Sequence, residues 1–176
     1  MLLWINLVTD GLPAIALSID PYSKHIMKQP PKRGNGYLLS KKSGINILVI
    51  AGLITLAVLF VSYNVIRGNE NEAYTIDKMQ TMAFTLMAVL EIAIIQSVRG
   101  RYKLGPFSNK YLIGAVLISL GLQLAVIYTP LSKFFGTVPL SFVDWIYILG
   151  VSAIVYGLIQ VYVIFTRKME EKSIKT

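Results

Sequence analysis

Two carboxylates sit where a membrane would make them costly. Asp10 lies in WINLVTDGLPAIAL and Glu91 in MQTMAFTLMAVLEIAIIQSV. An ionised carboxylate at mid-bilayer costs at least about 2.5–3.5 kcal/mol, so it persists where it meets a partner, an ion or a proton path. Asn6, Thr9 and Asp10 follow i, i+3, i+4 spacing. A helix would therefore project an amide, a hydroxyl and a carboxylate from one face. Gly11 and Pro13 follow at once. Proline has no N–H, so the Thr9 carbonyl loses its helical donor, and Gly11 lets the chain bend at little steric cost. The expectation is a broken helix with freed backbone oxygen beside a carboxylate. Membrane transporters build ion sites in this way.

Oxygen-only ligands favour a hard cation, and calcium takes roughly six to eight of them. Asp10 and Glu91 together supply the charge of a counter-ion for a divalent metal, and both also accept protons. Glu91 stands about 12 residues into its segment, hence about 18 Å along a helix, a depth suited to meeting Asp10. The expected metal ligands are thus Asn6, Thr9, Asp10 and Glu91, with Gly11 and Pro13 making the break. The competing reading is structural: protonated or hydrogen-bonded carboxyls that tie helices together. Thr81, Thr85, Gln96, Ser119, Gln123, Ser152 and Gln160 are read as interhelical hydrogen bonders. Trp145 and Tyr147 are read as interfacial anchors, and Gly114 and Gly121 as a close-packing spacing.

Elements long enough to hold these groups follow from composition. The 176 residues are 55% hydrophobic and 15% charged, against about a quarter charged in soluble domains. Five apolar segments stand out, at about 2–19, 44–66, 79–98, 111–129 and 143–166. Each is long enough for a helix to cross roughly 30 Å of hydrocarbon. The fold class expected is all-α, a polytopic transmembrane bundle of these five helices, with 1–176 as one membrane region. A signal peptide is a poor reading of the first segment, which has no basic region before it. With no cysteine and His25 as the single histidine, thiol-bound metals, multi-histidine sites and Ser-His-Asp catalysis are excluded. No catalytic residue is expected.

Charge sets the orientation. Lys24, Lys28, Lys32, Arg33, Lys41 and Lys42 fall in one connection, Arg99, Arg101, Lys103 and Lys110 in another. Arg167, Lys168, Lys172 and Lys175 follow the last segment. Alternate crossings bring all three clusters to one side, leaving Arg67, Lys78 and Lys133 for the other. The positive-inside rule therefore places 21–43, 99–110 and the C-terminus in the cytoplasm. An integral protein of the cell membrane is expected, with lipid as partner. The net charge of +8 is spent on topology and headgroup contact, and no nucleic-acid partner is expected. A docking surface for a cytoplasmic domain is the alternative use of the clusters.

The stretch LLWINLVTDGLPAIALSIDP closely resembles the sixth membrane helix of type II P-type ATPases, the sarco/endoplasmic-reticulum-like calcium pumps in particular. IMKQPPKR resembles the loop that follows that helix in the family. The remaining segments match its seventh to tenth helices in number, spacing and orientation, with LEIAIIQS the familiar part around Glu91. The resemblance implies that Asn6, Thr9 and Asp10 correspond to cation ligands of the sixth helix, and Glu91 to the glutamate of the eighth. Thr9 stands where Golgi-type and plasma-membrane-type pumps usually have methionine. Lys24 and His25 depart from the acidic loop of reticulum pumps, and the short RGNENEAYTIDK connection implies a prokaryotic source.

DKTGT, TGD and PEGLP motifs are absent from this sequence. The chain is accordingly expected to be the C-terminal membrane piece of a longer pump. Its partners would be the missing N-terminal membrane helices and cytoplasmic ATPase domains. Ca2+ would be the transported ion, bound weakly by this piece. Mg2+ and ATP would act only in the full-length parent, and this piece alone would be inactive. Two other readings stay open: an independent small cation or proton channel or secondary transporter, and a structural membrane subunit.

Overall fold

The structure, a computed structural model, describes residues 10–20, 41–68, 72–101, 105 and 107–174. Among them every secondary-structure element is a helix, in the order α1 (Gly11–Ser18), α2 (Lys41–Arg67), α3 (Glu72–Arg101), α4 (Lys110–Tyr128), α5 (Ser132–Phe135) and α6 (Phe142–Ile174). The all-α membrane bundle expected from hydropathy is thus observed. Four helices are long and apolar enough to cross a membrane, over Gly44–Arg67, Tyr74–Gly100, Lys110–Tyr128 and Phe142–Thr166. The first expected span is represented by the eight residues of α1, because 1–9 lie outside the described residues.

The ends of the helices have local causes. Asn109 caps α4: its Oδ1 accepts the N–H groups of Tyr111 at 3.0 Å and Leu112 at 3.1 Å, donors that otherwise lack an intrahelical partner. At its other end α4 stops at Tyr128, two residues before Pro130, with Thr129 extended at φ −107° and ψ 174° as a residue preceding proline should be. Ser141 and Asp144 form a capping box at the start of α6. The Asp144 carboxylate accepts the Ser141 N–H at 2.9 Å, and the Asp144 N–H donates to the Ser141 hydroxyl at 3.3 Å. The short α5 closes on Gly136, whose φ of 61° is left-handed and suits a residue without Cβ. Pro13 falls in the first turn of α1, where proline is tolerated.

Hydropathy underestimates two helices. α3 begins at Glu72, ahead of the apolar segment expected from 79, and α6 continues past 166 to Ile174. The second extension, RKMEEKSI, is rich in Arg, Lys, Glu and Met, polar but good helix formers, and the first, EAYTIDK, is mixed and polar enough to leave no apolar signal.

The main core lies between α2, α3 and α6, with Val61, Leu86, Leu90, Ile148 and Ile159 among its most buried members. A second cluster joins α1 to α4 through Ala16, Leu112 and Ala115, with Ile95 of α3 packed against it. Polar pairs add direction to this apolar packing. Gln123 donates to the Thr85 hydroxyl at 3.2 Å, Gln160 to Ser97 at 3.2 Å, and Tyr162 to Asn46 at 2.8 Å. Thr81 accepts the Val138 N–H at 3.1 Å, and Lys78 pairs with Asp144 at 3.0 Å. The interhelical role expected of Thr85, Gln123 and Gln160 is therefore observed, whereas Thr81 bonds the loop before α6 and the Asp77 carbonyl of its own helix.

Several expectations change. Gln96 accepts from Arg99 of its own helix at 3.5 Å. The Ser152 hydroxyl is buried and has no partner among the described residues. A Cβ at Gly114 or Gly121 would meet nothing within 4 Å, so these glycines do not mark a close helix approach among the described residues. The Tyr147 hydroxyl is buried, and its ring stacks on Phe60 at 6.3 Å. It is a packing residue. Trp145 fits an anchoring role better: its indole N–H donates at 2.7 Å to Tyr128, which donates in turn to the Leu140 carbonyl at 2.8 Å.

Candidate functional site

Asp10 is the residue preceding α1, with helical φ and ψ of −84° and −44°. Its carbonyl accepts the Ala14 N–H at 2.9 Å, but its carboxylate caps no N–H of α1. The carboxylate lies beside that of Glu91 of α3 instead. Glu91 is half-buried, and its Oε2 is buried without a partner among the described residues. The two acids singled out in the sequence are thus brought together across 81 positions of chain. Paired carboxyls bond only through a shared proton, and a cation can occupy the same place once both are ionised.

Asn6 and Thr9 lie outside the described residues, and so does the Thr9 carbonyl that Pro13 would leave without a donor. Gly11 is half-buried and Pro13 is buried in the first turn of α1. Among the described residues no group of three or more His, Cys, Asp or Glu side chains forms a metal cluster. Among the described residues the Asp10–Glu91 pair has no third acidic or histidine side chain beside it. A cavity of about 390 Å³ between α3, α4 and α6 is a different place: Val89, Ile92, Leu120 and Leu124 line it, and it holds no ionisable side chain.

The far end of α1 carries its own polar cluster. Arg99 lies on α3 two turns beyond Glu91 and binds Asp20, just past α1, in a forked pair. Nε donates to Oδ2 at 2.9 Å and Nη2 to Oδ1 at 3.0 Å. Nη2 also donates to Ser108 at 2.7 Å. The amide of Asn109 donates to the Ala16 carbonyl at 2.9 Å and to Asp20 Oδ1 at 3.0 Å. Burial pushes the Asp20 carboxyl up, but its bonds to Arg99 and Asn109 and the charge of Arg99 outweigh that and hold it below the usual carboxylate range.

Sequence reading counted Arg99 as a topology charge in contact with headgroups. The structure corrects this: Arg99 is 2% exposed and ion-paired. Asp20, Ser108 and Asn109 were not expected to matter. The available signal was an acid at the end of one apolar segment, on the same side of the membrane as a basic cluster.

Residues 1–165 match the family model described as "Cation transporting ATPase, C-terminus". The chain is 37% identical over 160 residues to a calcium-transporting ATPase of Bacillus subtilis, covering 87% of this chain and 17% of that protein. It is 32% identical over 169 residues to calcium-transporting ATPase 1 of Bacillus cereus, covering 87% and 19%. Human calcium-transporting ATPase type 2C member 1 is 33% identical over 157 residues, covering 86% and 17%. The chain thus spans less than a fifth of the length of these relatives.

Proposed function

Starting from a chain that belongs to the cation-transporting ATPase C-terminal family, we propose that it supplies part of the transported ion's coordination shell in an ATP-driven Ca2+ pump. The observation that carries this reading is the contact between the Asp10 and Glu91 carboxyls, inside apolar segments. Asn6 and Thr9 join Asp10 from the preceding turn as oxygen donors, and the Gly11–Pro13 break adds main-chain oxygen. A divalent, oxygen-seeking ion fits such a set. That the relatives are named for calcium transport supports Ca2+ over other hard cations.

In this reading the remaining oxygen ligands come from membrane helices of the parent pump that precede this chain. Phosphoryl transfer, with ATP and Mg2+, belongs to its cytoplasmic domains, since this sequence lacks the DKTGT motif. The pump is an integral membrane protein, placed by this proposal in the cell membrane, with 21–43, 99–110 and the C-terminus in the cytoplasm. The hydrogen bonds support that arrangement, because the Asp20–Arg99–Asn109 contacts bring the start of 21–43 and both flanks of 99–110 together, and Gln160 on the C-terminal half of α6 bonds Ser97 near the same end of α3. The opposite end holds Lys78, Asp144 and α5.

The test uses the full-length pump in liposomes. Asp10→Asn and Glu91→Gln should each lower the apparent Ca2+ affinity by more than about tenfold, since even groups that merely orient ligands are worth about 10–100-fold. Unchanged calcium-dependent ATP hydrolysis in both variants would remove the reading.

A further inference from the structure

We propose that the Arg99–Asp20–Asn109 cluster is a positioning device that sets how far α1 stands along α3, and with it the separation of Asp10 and Glu91. This rests on the cation-site reading above. The two contacts between α1 and α3 run in the same sense: Asp10 meets Glu91, and Asp20 meets Arg99. The pair of helices is therefore parallel. Ten residues separate the two acids of the α1 segment and eight separate Glu91 from Arg99, spans of about 15 and 12 Å at helical rise. The cluster lies at one end of a short rod whose other end carries the carboxyl pair.

Among the described residues little else fixes that register. α1 has eight residues, and its buried side chains are Pro13 and Ala16. Its apolar neighbours are Leu112, Ala115 and Ile95. Small and aliphatic contacts resist separation but have no preferred axial setting. A forked guanidinium–carboxylate pair has one, because both N–H groups must meet both oxygens. Arg99 and Asn109 are 2% and 3% exposed and the Asp20 side chain 14%, so little water competes for the geometry. Asn109 strengthens the setting from a third helix: its oxygen starts α4 while its nitrogen holds the last turn of α1. Arg99, Asp20 and Asn109 are positioning residues, and none touches the carboxyl pair.

The experiment uses the full-length pump in liposomes, with Asp10→Asn as reference. Arg99→Gln and Asp20→Asn should each raise the Ca2+ half-saturation by about tenfold, in the range of groups that orient ligands, with maximal turnover at saturating Ca2+ within twofold of the parent. Arg99→Lys, which keeps the charge but loses the fork, should fall between. The double variant should be no worse than either single one. Asn109→Ser keeps a good N-cap for α4 while cutting both bonds to α1, and it decides the matter if Arg99→Gln fails to fold. A second readout needs no transport. Spin labels at Ile15 and Val98, both exposed, on a chain without cysteine, report the α1–α3 distance, which should broaden in Arg99→Gln and Asn109→Ser. An unchanged half-saturation and an unchanged distance distribution in the folded variants would overturn the proposal. If they occur while Asp10→Asn abolishes calcium activation, the positioning role alone is lost. If Asp10→Asn is silent, the cation-site reading fails, and the spin-label distances still decide the register.

Discussion

α2 and α3 pack side by side but do opposite work. α2 is the more apolar, with mean hydropathy 2.6 against 1.8 for α3, yet 11% of its most apolar window is buried against 44% for α3. In a soluble protein the greasier helix would be the inner one. Here lipid is as good a solvent for leucine as the protein interior is, so apolarity gives no reason to be inside. Polar groups do give one. α3 carries Lys78, Thr85, Glu91 and Arg99, and each finds its partner on another element or, for Thr85, on α4. The middle of α2 has no ionisable side chain, and Leu48, Leu56, Leu59 and Phe60 stand exposed. The centre of this bundle is marked by its least hydrophobic long span.

The contrast can be broken first by emptying each helix of one leucine. Leu86 of α3 is 0% exposed and Leu48 of α2 is 73% exposed. Leu86→Ala should cost about 2 kcal/mol, the cavity penalty of a buried truncation. Leu48→Ala should cost less than about 0.5 kcal/mol, as at an ordinary surface position. Unfolding of the reconstituted pump in a denaturing detergent reads both, and a large value at Leu48 would show another part of the protein covering α2.

A second test sharpens the contrast at the charged end of α3. Asp20 titrates below the usual carboxylate range in the folded chain, facing Arg99, Asn109 and, through Arg99, Ser108. A depressed folded value means that the stabilisation is present above the unfolded value and is lost as pH falls through the folded one. Detergent stability should therefore hold through neutral and mildly acidic pH and decline only under stronger acid. Asp20→Asn should remove that decline, and a matching acid sensitivity in the variant would assign it to another group.

The smallest effect belongs to the middle of the bundle. Gln123→Leu removes one bond to Thr85, and such intramembrane bonds average about 0.6 kcal/mol. It also removes a buried Oε1 that has no partner among the described residues. The net change in detergent stability should stay under about 1 kcal/mol, with either sign, and a cost of several kcal/mol would mean that this pair organises the α3–α4 contact.

Sequence reading reached much of this. The four long spans follow from hydropathy, and the meeting of Asp10 with Glu91 follows from the cost of ionisable groups in apolar segments. Thr85 and Gln123 were legible for the same reason. What escaped were groups with two plausible environments. Arg99 sits where flanking basic residues ordinarily meet headgroups, and only the fold turns it inward onto an acid 79 positions away. Gly114 and Gly121 have a spacing that suits close packing, but no described residue approaches within 4 Å of a Cβ there. The start of α3 escaped because a polar helical turn leaves no hydropathy signal.

The pairing of Asp20 with Arg99 also has a consequence for biogenesis. Arg99 is made 79 residues after Asp20. At roughly 5–20 residues per second, that delay is about 4 to 16 s. During that interval the nascent α1 has neither its ion pair nor the amide of Asn109. The earliest helix of this region is therefore among the last to be seated, and its final placement waits on ribosomal completion of the third and fourth.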